Sequence, residues 1–367
     1  MPQVDVLGLT CQQLEQAASL ALTAGAGAAG RIYRHAIATG RLGAEAFCRS
    51  PATVDGWNRA FTVGLLTVVR TVEELGNVGT TAKAVLATAD GYEIEVVRIP
   101  MKAAPDGTVS AWTLCLSSQV GCKMGCTFCE TGRMGLIRHL TAAEIVAQVL
   151  TVRIALGWKV SNLVFMGMGE ALDNADHVIQ AITVLTGKPG FQYALDKITV
   201  CTSGHAEGLT KLAATGWKRL NLSVSLNSGD EAVRSRIMPV NRRTSLVELQ
   251  RILMSIPRRP NFTFGVNYCL LPGINDGPDD AARVADFCRP LGRVLVNLIP
   301  YNPGNAPLTR APEEPEIDGF IDRLRATGLP VRRRITKGRS IMAACGQLGN
   351  VALRRQRPTP VSDTPVL

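Results

Sequence analysis

The chain has 367 residues, 46% hydrophobic and 5% aromatic, with ten cysteines and a formal net charge of +10. That length accommodates one domain of about 250 residues plus an appendage, and the apolar share suffices for a packed core. The N-terminus MPQVDVLGLTCQQLEQ has no basic segment followed by an apolar run, and no apolar stretch reaches membrane-spanning length. These features exclude a secreted disulfide scaffold and a membrane partner, and set a reducing cytoplasm as the expected location.

Residues 1 to about 75 read as short helices separated by Gly and Pro. LTCQQLEQAASLAL carries apolar residues at helical spacing behind Thr10, a candidate N-cap. GRIYRHAIATGRL and SPATVDGWNRAFTVGLL follow. Arg31, Arg34 and Arg41 make this region basic, so a packing unit and an RNA-touching unit fit equally. TTAKAVLATADGYEIEVVRIP then reads as two strands around Asp90-Gly91, a hairpin signal. Glu95 lies between Ile94 and Val96, where alternation alone points its carboxylate at water.

From residue 110 the pattern becomes strand, loop, helix. WTLCLS, SNLVFMGMGE, KITVCTSG, RLNLSVSLN, FTFGVNYCLL and VLVNLIPYN are six strand segments. Helices are expected in LTAAEIVAQVLTVRIA, capped by Thr141 and Glu144, and near 206–215, 245–256, 278–290 and 314–327. This alternation predicts an α/β class with parallel strands. No GxGxxG opens a helix, which argues against a dinucleotide fold. Functional residues of parallel barrels collect at strand C-terminal ends. Cys122–Cys129, Gly169-Glu170, Cys201-Thr202-Ser203, Ser225-Leu226-Asn227 and Asn302 all fall at such ends. A basic strand VRRRIT and the segment KGRSIMAACGQLG follow residue 330. Val331 to Gln356 holds seven Lys or Arg and no acid, a candidate contact for RNA phosphates. The Pro-rich tail 351–367 reads as disordered.

The strongest chemical signal is CLSSQVGCKMGCTFCE, from Cys115 to Glu130. Cys122, Cys126 and Cys129 stand in the spacing C-x3-C-x2-C, close enough to face one metal centre. A 4Fe–4S cluster normally takes four Cys; three leave one iron open to a substrate. Structural zinc sites use four ligands, usually in paired C-x2-C units, and a second pair is missing here. Zinc and unliganded thiols stay open as alternatives. The spacing, with Phe128 before the last Cys, is similar to the activating motif of radical S-adenosylmethionine (SAM) enzymes.

Taken together, IEVVRIP, CLSSQVGCKMGCTFCETG, VFMGMGEALDN, VCTSG, SVSLN, VNLIPYNPG and AACGQLG resemble the RlmN/Cfr family of radical-SAM RNA methyltransferases. They run in family order across about residues 79–350; the N-terminal helices resemble it only loosely. The specific feature is the pairing of Cys115 with Cys345 besides the cluster cysteines. The resemblance implies a partial (βα)6 radical-SAM barrel over 110–350, ending in a loop that carries the catalytic Cys345. An N-terminal helical accessory domain (1–78) and a β-hairpin linker region (79–109) precede it. It implies a 4Fe–4S cluster on Cys122, Cys126 and Cys129, and SAM as methyl donor and radical source. Gly169, Glu170, Cys201, Ser225, Leu226, Asn227 and Asn302 match the SAM-holding positions.

The implied reaction methylates carbon 2 of an adenine in ribosomal RNA, with transfer RNA as a second candidate and carbon 8 as the alternative position. A radical-SAM enzyme acting on a peptide or small metabolite is the competing enzymatic class; it would need neither Cys115 nor Cys345. In the family reaction the Cys345 thiolate takes a methyl group from one SAM. A deoxyadenosyl radical from a second SAM activates that methyl, which then adds to the base. Cys115 helps remove the ring proton and closes a disulfide with Cys345, releasing methyladenine, and Glu95 matches the position of the proton acceptor. The expected partners are an RNA substrate and a reductase electron donor such as flavodoxin or ferredoxin, and the expected state is a monomer. The sequence departs from the family at Ala171 (usually Pro), Cys201 (Ser) and Asn267 (Glu). Arg339, Ser340 and Met342 stand where acids are common.

Overall fold

The computed structural model describes residues 3–104 and 107–350; the tail expected to be disordered lies outside them. Three helices open the chain: α1 (Cys11–Ala21), α2 (Ala29–Thr39) and α3 (Pro51–Ala60), tied by a two-residue parallel bridge of β1 (Val4–Asp5) to β2 (Phe61–Thr62). Thr10 caps α1 in a reciprocal box with Gln13. The three bury Leu14, Ile32, Tyr33 and Trp57 in the same apolar core as the main sheet. Leu66 N–H donates to Thr151 (3.1 Å) and Gln180 to Gly8 (2.8 Å), fastening them to the helices behind that sheet.

Then come β3 (Thr67–Gly76), β4 (Gly79–Ala87), β5 (Glu93–Ala103) and β6 (Val109–Cys115), followed by the short antiparallel pair β7 (Gln119–Cys122) and β8 (Gly135–His139) with α4 (Glu130–Met134) between them. The α/β units are α5 (Ala142–Ala155), β9 (Asn162–Phe165), α6 (Ala175–Thr186), β10 (Ile198–Thr202), α7 (Ala206–Ala214) and β11 (Asn221–Ser225). α8 (Glu231–Ile237), α9 (Leu246–Ser255), β12 (Phe264–Leu270), α10 (Asp280–Cys288), β13 (Val294–Pro300), α11 (Glu314–Ala326) and β14 (Val331–Arg333) complete them. α5 has the expected Thr141–Glu144 box and buries a continuous run from Ile145 to Val152, as a helix apolar on all sides must.

Among the described residues, ten strands form one open sheet in the order β14-β13-β12-β11-β10-β9-β6-β5-β4-β3. From β6 through β9 to β14 all neighbours are parallel, whereas β3 to β6 are antiparallel. This is the expected α/β class, with two additions. Residues 67–76 are a strand where helix was expected; the apolar spacing of TVVRTVEELG (Val68, Val69, Val72, Leu75) is helical, and pairing with β4 along its whole length overrides it. The hairpin strands β4 and β5 extend the parallel sheet through β6. Among the described residues, no helix is long and apolar enough to cross a membrane.

Candidate active site

The parallel strands deliver their C-terminal ends to one cavity of about 160 Å3. Cys122, Cys126, Cys129, Gly169, Glu170, Cys201, Ser225, Asn227 and Cys345 line it together. Glu95, Cys115, Leu226 and Asn302 are buried beside it rather than on its wall.

The cluster loop is held by packing. Cys122 and Met124 are buried against Ile237, Met238, Val240, Leu271 and Tyr301, with Phe128 half-buried on the same group. Thr127 N–H donates to Ile237 O (3.0 Å). All three thiols are pushed above the ordinary cysteine value, first by burial; neighbouring thiols add to the rise at Cys126 and Cys122 and the Glu130 charge to that at Cys129, while backbone donors lower Cys122 and Cys129. Among the described residues no three His, Cys, Asp or Glu converge as a single ion requires. Three soft sulfur donors on one cavity suit an iron–sulfur group, whose irons bind thiolates.

The opposite wall is polar. Glu170 accepts from Ser203 N–H (2.7 Å) and Leu172 N–H (3.2 Å), while its own N–H donates to Gln119 Oε1 (2.9 Å). Gly169 has φ 103, and a Cβ there would meet Gln119 and Ser118 at 2.7 Å; only Gly fits that approach. Register sets Ser225, Asn267 and Asn297 in one row across β11, β12 and β13. Asn267 donates to Cys201 Sγ (3.1 Å) and accepts from Asn297 (3.2 Å). Thus the Asn in place of the usual Glu is matched to the Cys in place of Ser. Asn227 turns with φ 58, accepts from Cys269 N–H (2.8 Å) and reaches Met238. Leu226 sits in the core, with N–H donating to Asn267 O (3.0 Å). Buried Asn302 Oδ1 and Ser203 Oγ have no partner, which suits an additional polar occupant.

Cys115, at the end of β6, is a buried free thiol. Burial raises its pKa most, and Cys345 lies near enough to add to that rise. Cys345, by contrast, is exposed; crowding by protein atoms still raises its thiol, opposed by the Arg334 guanidinium. The Cys345 loop crosses onto the cluster loop: Glu130 N–H donates to Gly346 O (2.8 Å), Thr131 Oγ1 to Leu348 O (2.5 Å) and Gln347 to Pro303 O (2.9 Å). Glu95 is 7% exposed, which corrects the expectation from alternation. Lys83 on the neighbouring strand supplies its counter-charge at 3.0 Å.

The basic segment divides. Arg333 is committed to Glu314 (2.5 and 2.7 Å), so the run VRRR does not offer three free cations; α11 supplies the acids. Arg354 and Arg355 lie outside the described residues. Sequence reasoning also missed Arg234, which is fully buried and donates to Leu226 O (2.9 Å), Ser203 O (2.7 Å) and Ser225 O (3.2 Å). Burial lowers its pKa to about 10, against the pull of Cys126. Nothing in EAVRSRIMPVN distinguishes Arg234 from Arg236.

Residues 116–287 match the Radical SAM superfamily. The probable dual-specificity RNA methyltransferase RlmN 1 of Protochlamydia amoebophila is 41% identical over 280 residues, 76% of each chain. The dual-specificity RNA methyltransferase RlmN of Geotalea uraniireducens is 42% identical over 268 residues, 73% of this chain and 75% of that one. A crystal structure of a radical SAM methyltransferase from Sphaerobacter thermophilus superposes with a TM-score of 0.81 at 34% identity, covering 95% of this chain and 99% of that one. The chain belongs to the RlmN family of radical SAM methyltransferases.

Proposed function

We propose that this RNA methyltransferase of the RlmN type methylates carbon 2 of an adenine in ribosomal RNA, and in transfer RNA as a second substrate, through a methyl group carried on Cys345. The observation that supports this most is the meeting of two sequence-distant thiols. Cys345 lines the same cavity as the three cluster cysteines, and Cys115 lies within electrostatic reach behind it.

When bound, a 4Fe–4S cluster on Cys122, Cys126 and Cys129 and SAM would supply the methyl group and the one-electron chemistry that activates it. Gly169 offers close backbone approach and Glu170 negative charge for the SAM amino group. Ser225, Asn227 and Asn302 bring hydrogen-bonding groups for its ribose, carboxylate and adenine; Cys201 and Leu226 shape the pocket between them. Cys345 takes the methyl as a thiolate, the nucleophilic form of sulfur; Arg334 favours that form. Glu95 accepts the proton that leaves the base. Cys115 helps remove that ring proton and then bonds to the Cys345 sulfur; the bond from that sulfur to carbon breaks with its electron pair left on the carbon, which takes up a proton to complete the methyl group as the disulfide forms and methyladenine departs.

Within residues 1–78, helices α1 to α3 act as an accessory unit, while β3 belongs to the main sheet. A reductase such as flavodoxin or ferredoxin delivers the electrons to a monomer. Mass spectrometry of nucleosides from ribosomal and transfer RNA, with and without the gene, tests the reading. Gene-dependent 2-methyladenosine is expected. 8-Methyladenosine would move the position, and unchanged RNA would overturn the function.

A further inference from the structure

One buried ion pair fastens the Cys345 loop at both of its ends. Lys83 on β4 and Glu95 on β5 are diagonal neighbours, since Val85 is the residue that faces Glu95, and long side chains span that offset. Their charges meet at 3.0 Å with each side chain 9% exposed. Burying two charges is costly unless each is fully satisfied, and here the remaining bonds go to the loop. Lys83 Nζ donates to Met342 O (3.0 Å) and Gly349 N–H donates to Glu95 Oε2 (2.8 Å). Met342 has φ 53, a conformation that costs a residue bearing a side chain. The backbone is strained at the point where its carbonyl meets Lys83. Cys345 lies between these two fastenings.

We propose that Lys83 is a positioning residue for the methyl-carrying cysteine. It holds Glu95 and the Met342 carbonyl together and so fixes where Cys345 stands over the cavity. Lys83 acts through Glu95 and the loop, not on the substrate. The pairing of β4 with β5 does not require this pair, because an apolar pair of similar volume would pack the sheet at least as well. What an apolar pair would not supply is the two bonds to residues 342 and 349. The inference rests on the reading of Cys345 as methyl carrier, but the fastening itself is testable without methylation.

The test uses the full chain with its cluster reconstituted anaerobically, followed by hydrogen exchange and mass spectrometry. In Lys83→Met, amide exchange across 343–349 should speed up about tenfold as the loop opens locally, while peptides from α1 to α3 exchange as in the parent. Lys83→Met/Glu95→Gln removes both charges without leaving one buried alone. It should loosen the loop to within about twofold of the single variant, as residues acting as a unit do. Lys83→Arg, which keeps the charge, should restore the protection. In turnover, Lys83→Met should lower kcat for RNA methylation with little change in the KM for RNA, and Lys83→Arg should recover it. Parental exchange across 343–349 in a folded Lys83→Met protein would overturn the proposal. So would acceleration shared equally by α1 to α3, since that reports general loosening. If the parent makes no methyladenine, the methyl-carrier reading fails and the exchange result still decides the fastening.

Discussion

The two loops that carry the cysteines are held in opposite ways. The cluster loop is short and apolar: Met124 and Phe128 pack on Ile237, Met238 and Val240, and its three thiols follow one another within eight residues, 122–129. The Cys345 loop is held by polar bonds to strands far away in sequence. Glu74 on β3 takes Gly338 and Ser340, Lys83 on β4 takes Met342, and Glu95 on β5 takes Gly349. Dry packing fixes a donor set that must keep one geometry. Discrete polar fastenings, each separately breakable, suit a residue that accepts a group, presents it and is then resolved by a second thiol.

The largest effect should come from the packed loop. Replacing Cys122, Cys126 and Cys129 together by Ala should leave the protein folded, because Met124 and Phe128 carry the packing. All iron, the broad visible absorption and all SAM cleavage should be lost. Iron analysis of anaerobically purified protein checks this. Unchanged iron, or stoichiometric zinc in the parent, would break the contrast by showing that the loop holds something else.

Next in size, the two remaining cysteines should fail differently. Cys345→Ala should carry no methyl and make no methyladenine, while uncoupled SAM cleavage continues. Cys115→Ala should accept the methyl, attack the base and stall with RNA attached, because the adduct lacks its resolving thiol. Intact-mass measurement after expression with RNA separates the two. Methylated RNA from Cys345→Ala would remove the mechanism, and normal turnover by Cys115→Ala would remove its second half.

The same contrast explains what was legible beforehand. The cluster loop declares itself by spacing, because its ligands are neighbours in sequence, and the six α/β strands declare themselves by alternation with helices. The Cys345 loop does not. AACGQLG stands out only through its family resemblance, and none of its fasteners sits near it in the chain. Lys83 and Glu74 lie on antiparallel strands with nothing unusual in their local pattern, and β3 itself was read as helix. Glu95 looked solvent-facing because alternation cannot show that a C-terminal loop covers that face. Buried Arg234 was invisible for the same reason: its acceptors are strand-end carbonyls at Ser203, Ser225 and Leu226.

A smaller effect tests the outer, basic side of the Cys345 loop. Arg332 is exposed, and Arg334 leads into the loop, whereas Arg333 is held by Glu314. Arg332→Glu/Arg334→Glu should weaken RNA binding and flatten its dependence on salt by about 0.7 to 0.9 in log–log slope per lost phosphate contact. Arg333→Glu should change the slope less, because its charge is already matched. Equal slopes for the parent and both variants would make this run an ordinary solvated face.

The smallest expected effect lies at Glu74, the outermost fastening, where the family's usual acids are replaced by Arg339, Ser340 and Met342. Burial works against the charge of Glu74, but bonds from Ser340, Gly338 and Arg339 outweigh it and hold the carboxyl below the ordinary value of 4.5. One acid from β3 thus supplies, across the sheet, negative charge that the loop itself lacks. A depressed acid stabilises the fold above its unfolded pKa, and that contribution disappears as pH falls through the folded value. Glu74→Gln should therefore cost about 1 kcal/mol near neutrality, below the range for buried bonds to a charged acceptor because Glu74 is half-exposed and solvent screens it. That corresponds to a Tm lowered by about 2–3 °C. The gap between parent and variant should hold from about pH 8 to pH 6 and close in acid below the ordinary value of 4.5. Thermal melts across that range measure it. A gap that widened in acid would mean that Glu74 is held protonated and that its bonds to Ser340 run the other way.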